Sequence, residues 1–489
     1  MPNRIVALCS LALAAALPTH AAADCESLTA LKLPHTTITA AQPVPAENQR
    51  PAFCRVAATL RPTDDSDIKI EVWLPAAGWN GNLEANGNGG WSGSISATTL
   101  AAGLRRGYAT TMSDLGHEGS SAEFALGHPE KLIDFGYRAA HEMKLAAKAI
   151  VAAYYGHSPQ LSYWSGCSAG GRSALMEAQR FPDDFDGIVA GSPGLNWTGR
   201  ALQSIRIAQA SHTNEAGYIP PAKYALIHNA VLAACDARDG LKDGVLEDPT
   251  RCTFDPGELL CKGPDAPACL TAAQVETARA LYAPAANPRT KQPVSQGFER
   301  GSEMGWATMA GPKPFAIGDS MFKYVVFENP AWDFRTFDFD KDVARTLKAE
   351  NGILNATSPD LKAFLGRGGK LIQYHGWSDP QIQPASSVAY YQSVLKAMGG
   401  EAKIQASYRL FMVPGMAHCG GGDGTSSFDM LGALEQWVEK GKAPDQIPAA
   451  RIRNGQTDRT RPLCPWPQRA VYKGTGNPDN AENFACKSQ

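Results

Sequence analysis

The stretch that decides the fold is Ser165-Gly-Cys-Ser-Ala-Gly-Gly171, SGCSAGG in one-letter code. An apolar run at 161–165 precedes it, and a helical pattern at 169–180 follows it. The stretch contains the pattern G-x-S-x-G, which between a strand and a helix forms a sharp turn that exposes the serine hydroxyl. The sequence therefore predicts a nucleophilic Ser168. If Cys167 were the nucleophile, the two positions where the pattern requires glycine would be occupied by other residues.

Strand-like runs alternate with helical patterns on both sides of this turn. Such alternation predicts a mostly parallel sheet with helices on both faces, and together with the serine turn it predicts an α/β-hydrolase core. The predicted strands are 68–74, 161–165, 187–190, 369–374 and 408–413, and the predicted helices are 134–155, 169–180 and 428–439.

Four segments are expected along the chain. Arg4, an apolar run from Val6 to Leu17 and Ala21-Ala22-Ala23 are typical of a secretory signal peptide with an A-x-A cleavage site. Residues 197–365 are rich in cysteine, proline and Asp-Gly pairs, which is typical of an inserted, disulfide-stapled lid. The predicted boundaries are a signal peptide at 1–23, core at 24–196, lid at 197–365 and core again at 366–489, with an irregular, tethered tail.

Charge and cysteine content narrow the class of protein. The formal net charge of the 489 residues is −2, with no basic stripe or RNP-like motif, so nucleic acid and membrane surfaces are not expected partners. Oligomeric state is not defined by the sequence. Of eleven cysteines, Cys9 falls in the predicted signal peptide. An even set in an exported protein, secreted or periplasmic, indicates disulfides rather than metal thiolates.

A serine nucleophile needs a histidine base, and the base needs an orienting carboxylate. In α/β-hydrolases these residues follow in the order serine, acid, histidine, each on a loop after a strand. Asp379 and His418 each follow a predicted strand, and His418 lies in a glycine-rich loop. The sequence therefore predicts a triad of Ser168, Asp379 and His418. His375 is expected to line the pocket rather than to titrate.

Cysteines flank two members of this triad. Cys167 precedes Ser168, and Cys419 follows His418. If the serine hydroxyl and the imidazole are hydrogen-bonded, the neighbouring backbones lie close enough for a disulfide, which needs Cα atoms about 4.4–6.8 Å apart. The sequence therefore predicts a Cys167–Cys419 bridge that holds the base beside the nucleophile.

A Cys-Ser pair, a later Asp and a final His-Cys pair resemble the signature of the tannase and feruloyl esterase family. The resemblance covers essentially all of the chain after the signal peptide, including the lid. It implies an oxyanion hole formed by the N–H of Ala169 and by one N–H from the glycine loop 86–91. The second donor is Gly89 or Gly90, and the sequence does not choose between them.

The resemblance also implies a structural Ca²⁺ ion in the lid, near the Asp-Gly turns of 235–245. Calcium takes about six to eight oxygen ligands. The implied ligands are the carboxylates of Asp236, Asp239 and Asp243 and the carbonyls of Leu241 and Val245. The implied disulfides, beside the one at the triad, are Cys25–Cys54, Cys235–Cys252, Cys261–Cys269 and Cys464–Cys486.

Members of the family hydrolyse esters of aromatic acids. The resemblance therefore implies a secreted serine carboxylic-ester hydrolase that acts on hydroxycinnamate (feruloyl) or gallate esters through an acyl-enzyme. The lid offers aromatic side chains that could hold a ring. The predicted substrate contacts are His375, Ile382, Trp306, Phe322 and Tyr324.

Two alternative activities stay open. Mono-hydroxyethyl terephthalate is a substrate of some family members, but they carry an aromatic residue where this chain has Ile382, which favours feruloyl or gallate esters. A serine peptidase of the same fold would share the triad, so only a direct comparison of peptide and ester substrates separates the two. A catalytically silent binding protein is disfavoured because no triad residue is missing.

Overall fold

Nine strands form one mostly parallel sheet in the computed structural model, which describes residues 23–488. In chain order they are β1 (Thr36–Val44), β2 (Phe53–Leu60), β3 (Ile68–Pro75), β4 (Leu83–Asn86), β5 (Ala109–Ser113), β6 (Ser162–Cys167), β7 (Gly187–Gly191), β8 (Lys370–Gly376) and β9 (Tyr408–Val413). The order across the sheet is β1-β2-β3-β5-β4-β6-β7-β8-β9. From β1 to β5 the pairs are antiparallel, and from β5 to β9 they are parallel.

Helices connect the strands and build the segment between β7 and β8. The α-helices within residues 23–488 are α1 (Ala97–Arg105), α2 (Pro129–Ile133), α3 (Ala139–Tyr155), α4 (Ala169–Arg180), α5 (Trp197–His212), α6 (Tyr224–Cys235), α7 (Ala272–Tyr282), α8 (Ala307–Ala310), α9 (Ala316–Met321), α10 (Asp342–Glu350), α11 (Lys362–Gly366), α12 (Ala385–Met398), α13 (Glu401–Ile404) and α14 (Met430–Lys440).

Both faces of the sheet are covered, because successive strand residues point to opposite sides. In β6, Trp164 packs in the core that contains α3 and α4, whereas its neighbour Tyr163 packs in the core that contains α14. In β8, Leu371 joins the first core and Ile372 the second. The predicted α/β-hydrolase architecture is confirmed.

The segment between β7 and β8 contributes no strand to the nine-stranded sheet and contains α5 to α11. Part of it has a core of its own, which includes Ile227, Leu281 and Trp306. Another part, with Phe322 and Trp332, packs on the main core. Because its helices bury apolar surface in both places, the lid is fixed to the hydrolase core rather than tethered by linkers alone.

Two local expectations differ from the structure. The helix predicted over 134–155 begins with a π turn, Asp134–Arg138, and only then becomes α3. The tail is regular rather than irregular, since it forms two antiparallel hairpins, one of β10 (Ile447–Arg453) with β11 (Gln456–Leu463) and one of β12 (Arg469–Tyr472) with β13 (Phe484–Lys487). The predicted signal peptide lies outside the described residues, apart from residue 23.

Within residues 23–488, no helix is both long enough and apolar enough to cross a bilayer.

Candidate active site

Ser168 lies between the end of β6 and the start of α4, with φ 65° and ψ −121°. A non-glycine residue in such a conformation costs about 1–3 kcal/mol, so the surrounding structure must hold it. The last residue of β7 and the loop after it do so. The Ser168 N–H donates to the Gly191 carbonyl at 2.9 Å, and the Gly194 N–H donates to the Ser168 carbonyl at 3.1 Å. The turn has the geometry that G-x-S-x-G predicts.

Glycines allow three backbone segments to meet at this turn. A Cβ on Gly166 would lie 2.6 Å from the Gly170 carbonyl carbon, and a Cβ on Gly87 would lie 2.4 Å from the Gly170 Cα. The glycine loop 86–91 therefore packs backbone against backbone on the first turn of α4. That turn carries N–H groups without helical partners, among them the one on Ala169. Oxyanion donors can thus converge here from the loop and from the helix.

The two candidates for the second oxyanion donor differ in their surroundings. A Cβ added at Gly89 would meet no atom within 4 Å, so this glycine borders open space. Gly90 has φ 52°, and a Cβ there would lie 2.9 Å from Cδ1 of Ile317 in the lid. Both remain predictions, as does Ala169.

Asp379 lies three residues after β8 and is completely buried. Its Oδ1 accepts the backbone N–H groups of Gln381 and Ile382 at 2.8 and 3.0 Å. Its Oδ2 accepts His418 Nδ1 at 2.7 Å and His375 Nε2 at 3.1 Å. A carboxylate with four hydrogen-bond donors can orient an imidazole firmly.

The hydrogen bonds keep this buried carboxyl ionised. Burial alone raises the pKa of Asp379, but the charge of His418 and the hydrogen bonds from His375 and His418 outweigh it, so the pKa lies well below its ordinary value. Because Nδ1 of His418 donates to Asp379, Nε2 is free to act as a base toward a serine hydroxyl. Asp379 is thus suited to the orienting role that the sequence predicts.

His375 supports Asp379 and has no exposed surface. Its Nε2 contacts two acceptors, Asp379 Oδ2 at 3.1 Å and the Ile382 carbonyl at 3.2 Å, so this nitrogen carries a proton. Its Nδ1 lies 2.7 Å from Ser387 Oγ. The expectation that His375 lines the substrate pocket is therefore corrected: its hydrogen bonds position the acid. The spacing His375-x-x-x-Asp379 at the end of a strand is the signal that could have indicated this.

His418 follows β9, whereas Ser168 follows β6, which lies three strands away in the sheet. At the usual spacing between strands this separation is about 14 Å, so the loop that carries His418 must return across the sheet to reach the serine. Part of this path is fixed by pairing with the Asp379 loop, since the Ser378 N–H donates to the Met416 carbonyl at 3.0 Å. The Cys167–Cys419 disulfide completes the path, with an S–S distance of 1.99 Å and a Cα–Cα distance of 6.0 Å. The predicted bridge is present.

Ser168 and His418 both keep a little exposed surface, 8% for the serine residue and 12% for the histidine side chain. Within residues 23–488, the hydrogen bonds of His418 include the one to Asp379 and none to Ser168. Catalytic hydrogen bonds are often long in a substrate-free enzyme and shorten in the Michaelis complex. The adjoining disulfide holds the backbones of these two residues near each other. A hydrogen bond between their side chains is an expectation for the substrate complex.

The other four disulfides join the pairs that the family resemblance implies. They are Cys25–Cys54, Cys235–Cys252, Cys261–Cys269 and Cys464–Cys486.

The residues expected to hold calcium lie in one loop, but they bond to the protein itself. Asp236 accepts the Gly244 N–H at 2.9 Å, and Asp243 pairs with Arg461 at 2.6 Å. Burial raises the pKa of Asp239 to about 6 and that of Glu247 to about 8. Within residues 23–488, no three or more His, Cys, Asp or Glu side chains gather closely enough to hold a metal. The donor chemistry fits calcium, but binding would require these carboxylates to rearrange.

The predicted substrate contacts other than His375 divide into two groups. Trp306 and Phe322 have no exposed surface and pack in the cores described above, so the structure does not support them as pocket walls. Tyr324 is half-buried, and Ile382 is 2% exposed beside the Asp379 loop. For these two residues, contact with substrate stays a prediction.

A sheet of this topology, with a strained serine after β6, a buried aspartate after β8 and its histidine after β9, defines an α/β-hydrolase. The family description "Tannase and feruloyl esterase" matches residues 54–487. The chain belongs to this family and is a carboxylic ester hydrolase.

Three proteins illustrate the likeness. An uncharacterized esterase of Xanthomonas campestris pv. campestris is 41% identical over 98% of this chain and 94% of its own. "Probable feruloyl esterase B-1" of Aspergillus flavus is 35% identical over 88% of this chain and 86% of its own. The crystal structure of feruloyl esterase B from Aspergillus oryzae matches with a TM-score of 0.89 and 30% identity, over 95% of this chain and 99% of that one.

Proposed function

We propose that this chain is a secreted serine esterase that hydrolyses hydroxycinnamate (feruloyl) or gallate esters through Ser168, His418 and Asp379. The observation that carries the proposal is the Cys167–Cys419 disulfide. It joins the residue before the strained serine to the residue after the histidine, and that histidine is bonded to a buried, ionised aspartate. Nucleophile, base and orienting acid are the three parts that acyl transfer through a serine requires.

The reaction begins when His418 Nε2 takes the proton of Ser168 Oγ, which attacks the ester carbonyl. The oxyanion accepts hydrogen bonds from the Ala169 N–H and from that of Gly89 or Gly90; one such donor is worth roughly 10²–10³ in kcat. The alcohol leaves with the proton held by His418, and an acyl-Ser168 ester remains. A water molecule, deprotonated by His418, then releases the acid. Asp379 stays ionised throughout.

The family and the names of the relatives support an aromatic acyl group. A direct test measures kcat/KM for methyl ferulate, methyl gallate and mono-hydroxyethyl terephthalate, beside an aliphatic methyl ester of similar size. We expect ferulate or gallate to be hydrolysed fastest, and Ser168→Ala to abolish turnover while the near-UV spectrum stays that of the folded protein. A clear preference for the aliphatic ester would contradict the aromatic assignment.

Export to an oxidising compartment is part of the proposal, and five disulfides support it. Expression of the 489-residue chain in a bacterium with a functional secretion pathway tests it. We expect the exported protein to begin at Asp24. Retention of residues 1–23 on a protein that stays inside the cell would contradict it.

A structural Ca²⁺ ion at Asp236, Asp239 and Asp243 is the remaining part. Its support is the set of hard oxygen donors, since Asp239, Leu241, Asp243 and Val245 line one cavity. The ion would neutralise the carboxylates and tie the loop together. Calorimetric titration of chelator-treated protein with Ca²⁺ should show one site, and Asp239→Asn should weaken it. No heat of binding, with an unchanged melting temperature, would remove calcium from the account.

A further inference from the structure

Asn88, in the glycine loop, carries a buried amide that no step of the proposed reaction uses. The residue is 6% exposed. Its Nδ2 donates to the carbonyls of Ser94 at 2.7 Å and Ser113 at 3.0 Å, and it lies 3.3 Å from the Ser92 carbonyl. Two of these acceptors lie further along the same loop, whereas Ser113 is the last residue of β5. One side chain therefore closes the loop and ties it to the sheet.

The orientation of this amide is fixed by its neighbours. All three contacts are carbonyl oxygens, which accept hydrogen bonds and cannot donate them. An amide turned round would place Oδ1 against these oxygens and lose the three contacts. In the present orientation Oδ1 is buried and has no hydrogen-bond partner in the described part of the chain. A buried polar atom without a partner destabilises a fold, so it is the donor side of the amide that gives Asn88 its role.

The backbone of Asn88 lies against the helix that begins at the nucleophile. A Cβ on Gly170, in the first turn of α4, would lie 3.1 Å from the Asn88 carbonyl oxygen. The main chain of Asn88 thus packs on the serine turn, while its side chain reaches the end of β5. A change in the side chain is therefore transmitted to the part of the loop that lies beside the nucleophile.

The two candidate oxyanion donors follow Asn88 directly in the chain. In the described part of the protein, the N–H groups of Gly89 and Gly90 donate to no protein acceptor. The Gly89 carbonyl accepts the Ser92 N–H at 2.9 Å, which closes a tight turn. Among the described hydrogen bonds of these three successive residues, the one that reaches another element joins Asn88 to Ser113. The Asn88 amide therefore fixes the two donors relative to the sheet.

The far half of the glycine loop is held by other contacts. Trp91 Nε1 donates to the Ile317 carbonyl at 2.9 Å, and the Trp91 carbonyl lies 2.8 Å from His117 Nε2. These contacts do not involve Asn88. Loss of its amide should therefore displace the glycine donors without detaching the whole loop.

We propose that Asn88 is a positioning residue for the oxyanion hole, and that its amide holds the N–H groups of Gly89 and Gly90 in place beside the serine turn. The inference rests on the proposed esterase function, because the oxyanion forms when Ser168 attacks an ester carbonyl. Oxyanion donors act when they lie about 2.7–3.1 Å from the charged oxygen, so a small shift of the loop weakens the bond. The effect should fall on the transition state rather than on substrate binding.

The first test uses Asn88→Leu, which has a similar volume and lacks the donor. We expect kcat/KM for methyl ferulate and for 4-nitrophenyl acetate to fall alike, by about 30-fold or more, because all esters share one oxyanion hole. The affinity for the trifluoromethyl ketone analogue of methyl ferulate, whose Ser168 adduct carries an oxyanion, should fall by a similar factor. Inhibition by ferulate, the product acid, should not change.

Asn287→Leu is the matched control for this variant. Asn287 Nδ2 also donates to a backbone carbonyl, that of Phe339 at 3.2 Å, but it does so in the lid. We expect this variant to keep the wild-type kcat/KM for both esters and the wild-type affinity for the ketone.

A second variant restores the donor through pH. Asn88→Asp has nearly the same shape, and its buried carboxyl would face three carbonyl oxygens, which raises its pKa. The protonated carboxyl has one O–H donor and the ionised form has none, so the ratio of variant to wild-type kcat/KM should rise at least about threefold as pH falls from about 8 to 5.5. Taking the ratio removes the pH dependence that the two enzymes share. A ratio that stays constant with pH would contradict the donor role.

Equal losses in Asn88→Leu and Asn287→Leu would overturn the inference, and so would lost turnover with full affinity for the ketone. A crystal structure of the wild-type ketone adduct gives a test that needs no variant. Its oxyanion should lie within hydrogen-bond distance of the Gly89 or Gly90 N–H, and an oxyanion that contacts neither would remove Asn88 from the account even if both Asn88 variants fail to fold.

Cleavage of 4-nitrophenyl acetate by wild type separates these outcomes from failure of the proposed function. If the wild-type enzyme cleaves this ester in a Ser168-dependent manner and any contradicting result is found, the esterase stands and the Asn88 assignment falls. If it cleaves no ester, the two fall together.

Discussion

Cys167 and Cys419 are 252 residues apart in the sequence, and their Cα atoms are 6.0 Å apart in the fold. The bridge joins the end of β6 to the loop after β9 and lies next to both proposed reacting residues. The loop that carries His418 closes on itself, since the Ala417 N–H donates to the Gly421 carbonyl at 3.2 Å and the Asp423 N–H donates to the Gly415 carbonyl at 2.9 Å. The disulfide ties this closed loop to the serine turn.

Removing this bridge should damage activity as well as stability. In the Cys167→Ser/Cys419→Ser enzyme we expect a loss of up to about 5 kcal/mol in the free energy of unfolding, since the closed loop is long. We also expect kcat to fall at least tenfold, measured at a temperature where the variant is folded. Cys464→Ser/Cys486→Ser is the matched control and should lose stability with kcat unchanged. Equal kcat in the two double variants would show that the bridge does not position the base.

Asp379→Asn should lower kcat by about 10⁴, because an amide at this position favours the wrong tautomer of the base. The KM should change little, since Asp379 is buried and does not contact substrate. Asp445→Asn is a suitable control, because Asp445 pairs with Arg409 at 2.7 Å but is 90% exposed. Steady-state kinetics on a chromogenic ester check both variants. A fall of less than tenfold for Asp379→Asn would argue that another carboxylate orients His418.

His228, in the lid, makes an electrostatic contact with the loop that carries His418. Its Nδ1 lies 2.8 Å from Glu303 and its Nε2 lies 3.5 Å from Asp423, a few residues beyond His418. Burial disfavours the charged imidazole, but the two carboxylates outweigh it and raise the pKa of His228 to about 9. Since the folded-state pKa is raised, the stabilisation is fully present below the unfolded pKa of about 6.5 and is lost as pH rises through about 9.

Unfolding of wild type and His228→Gln between pH 6 and 10 checks this link. The difference in the free energy of unfolding should be largest near pH 6 and should shrink steadily toward pH 10. A difference that does not vary with pH would mean that His228 stabilises the lid by packing rather than by charge.

Gly87→Ala should push the glycine loop away from the serine turn, because the added Cβ would lie 2.4 Å from the Gly170 Cα. Loss of one oxyanion donor predicts a decrease of roughly 10²–10³ in kcat. Gly366→Ala on α11 is a useful control, since its Cβ would meet no atom within 4 Å. Full activity in Gly87→Ala would exclude this loop from the oxyanion hole.

Much of this architecture can be predicted from the sequence, because the local pattern of apolar residues agrees with the way in which the elements pack in the fold. Helix α4 begins and ends where its pattern predicts, and β9 matches its apolar run at 408–413. The edge strand β1 and its neighbour β2 were not predicted, and neither were the tail hairpins. The short strand β12 owes its regularity to pairing with β13 and to the Cys464–Cys486 bridge, neither of which a local pattern reveals.

At the site, the identities of the catalytic residues were easier to predict than the packing of the residues around them. The order serine, acid, histidine and the flanking cysteines depend on residue type alone, so they are visible in the chain. Whether Trp306 faces a pocket or a core depends on packing between distant segments, and here Tyr282 and Tyr224 enclose it.

Covalent labelling tests the central claim most directly. The native protein is treated with diisopropyl fluorophosphate, digested and mapped by mass spectrometry, in parallel with His418→Ala. The account predicts one adduct, on Ser168, formed in step with loss of esterase activity, and a much slower adduct in the variant. Inactivation with Ser168 unmodified, or full activity after Ser168 is modified, would contradict it.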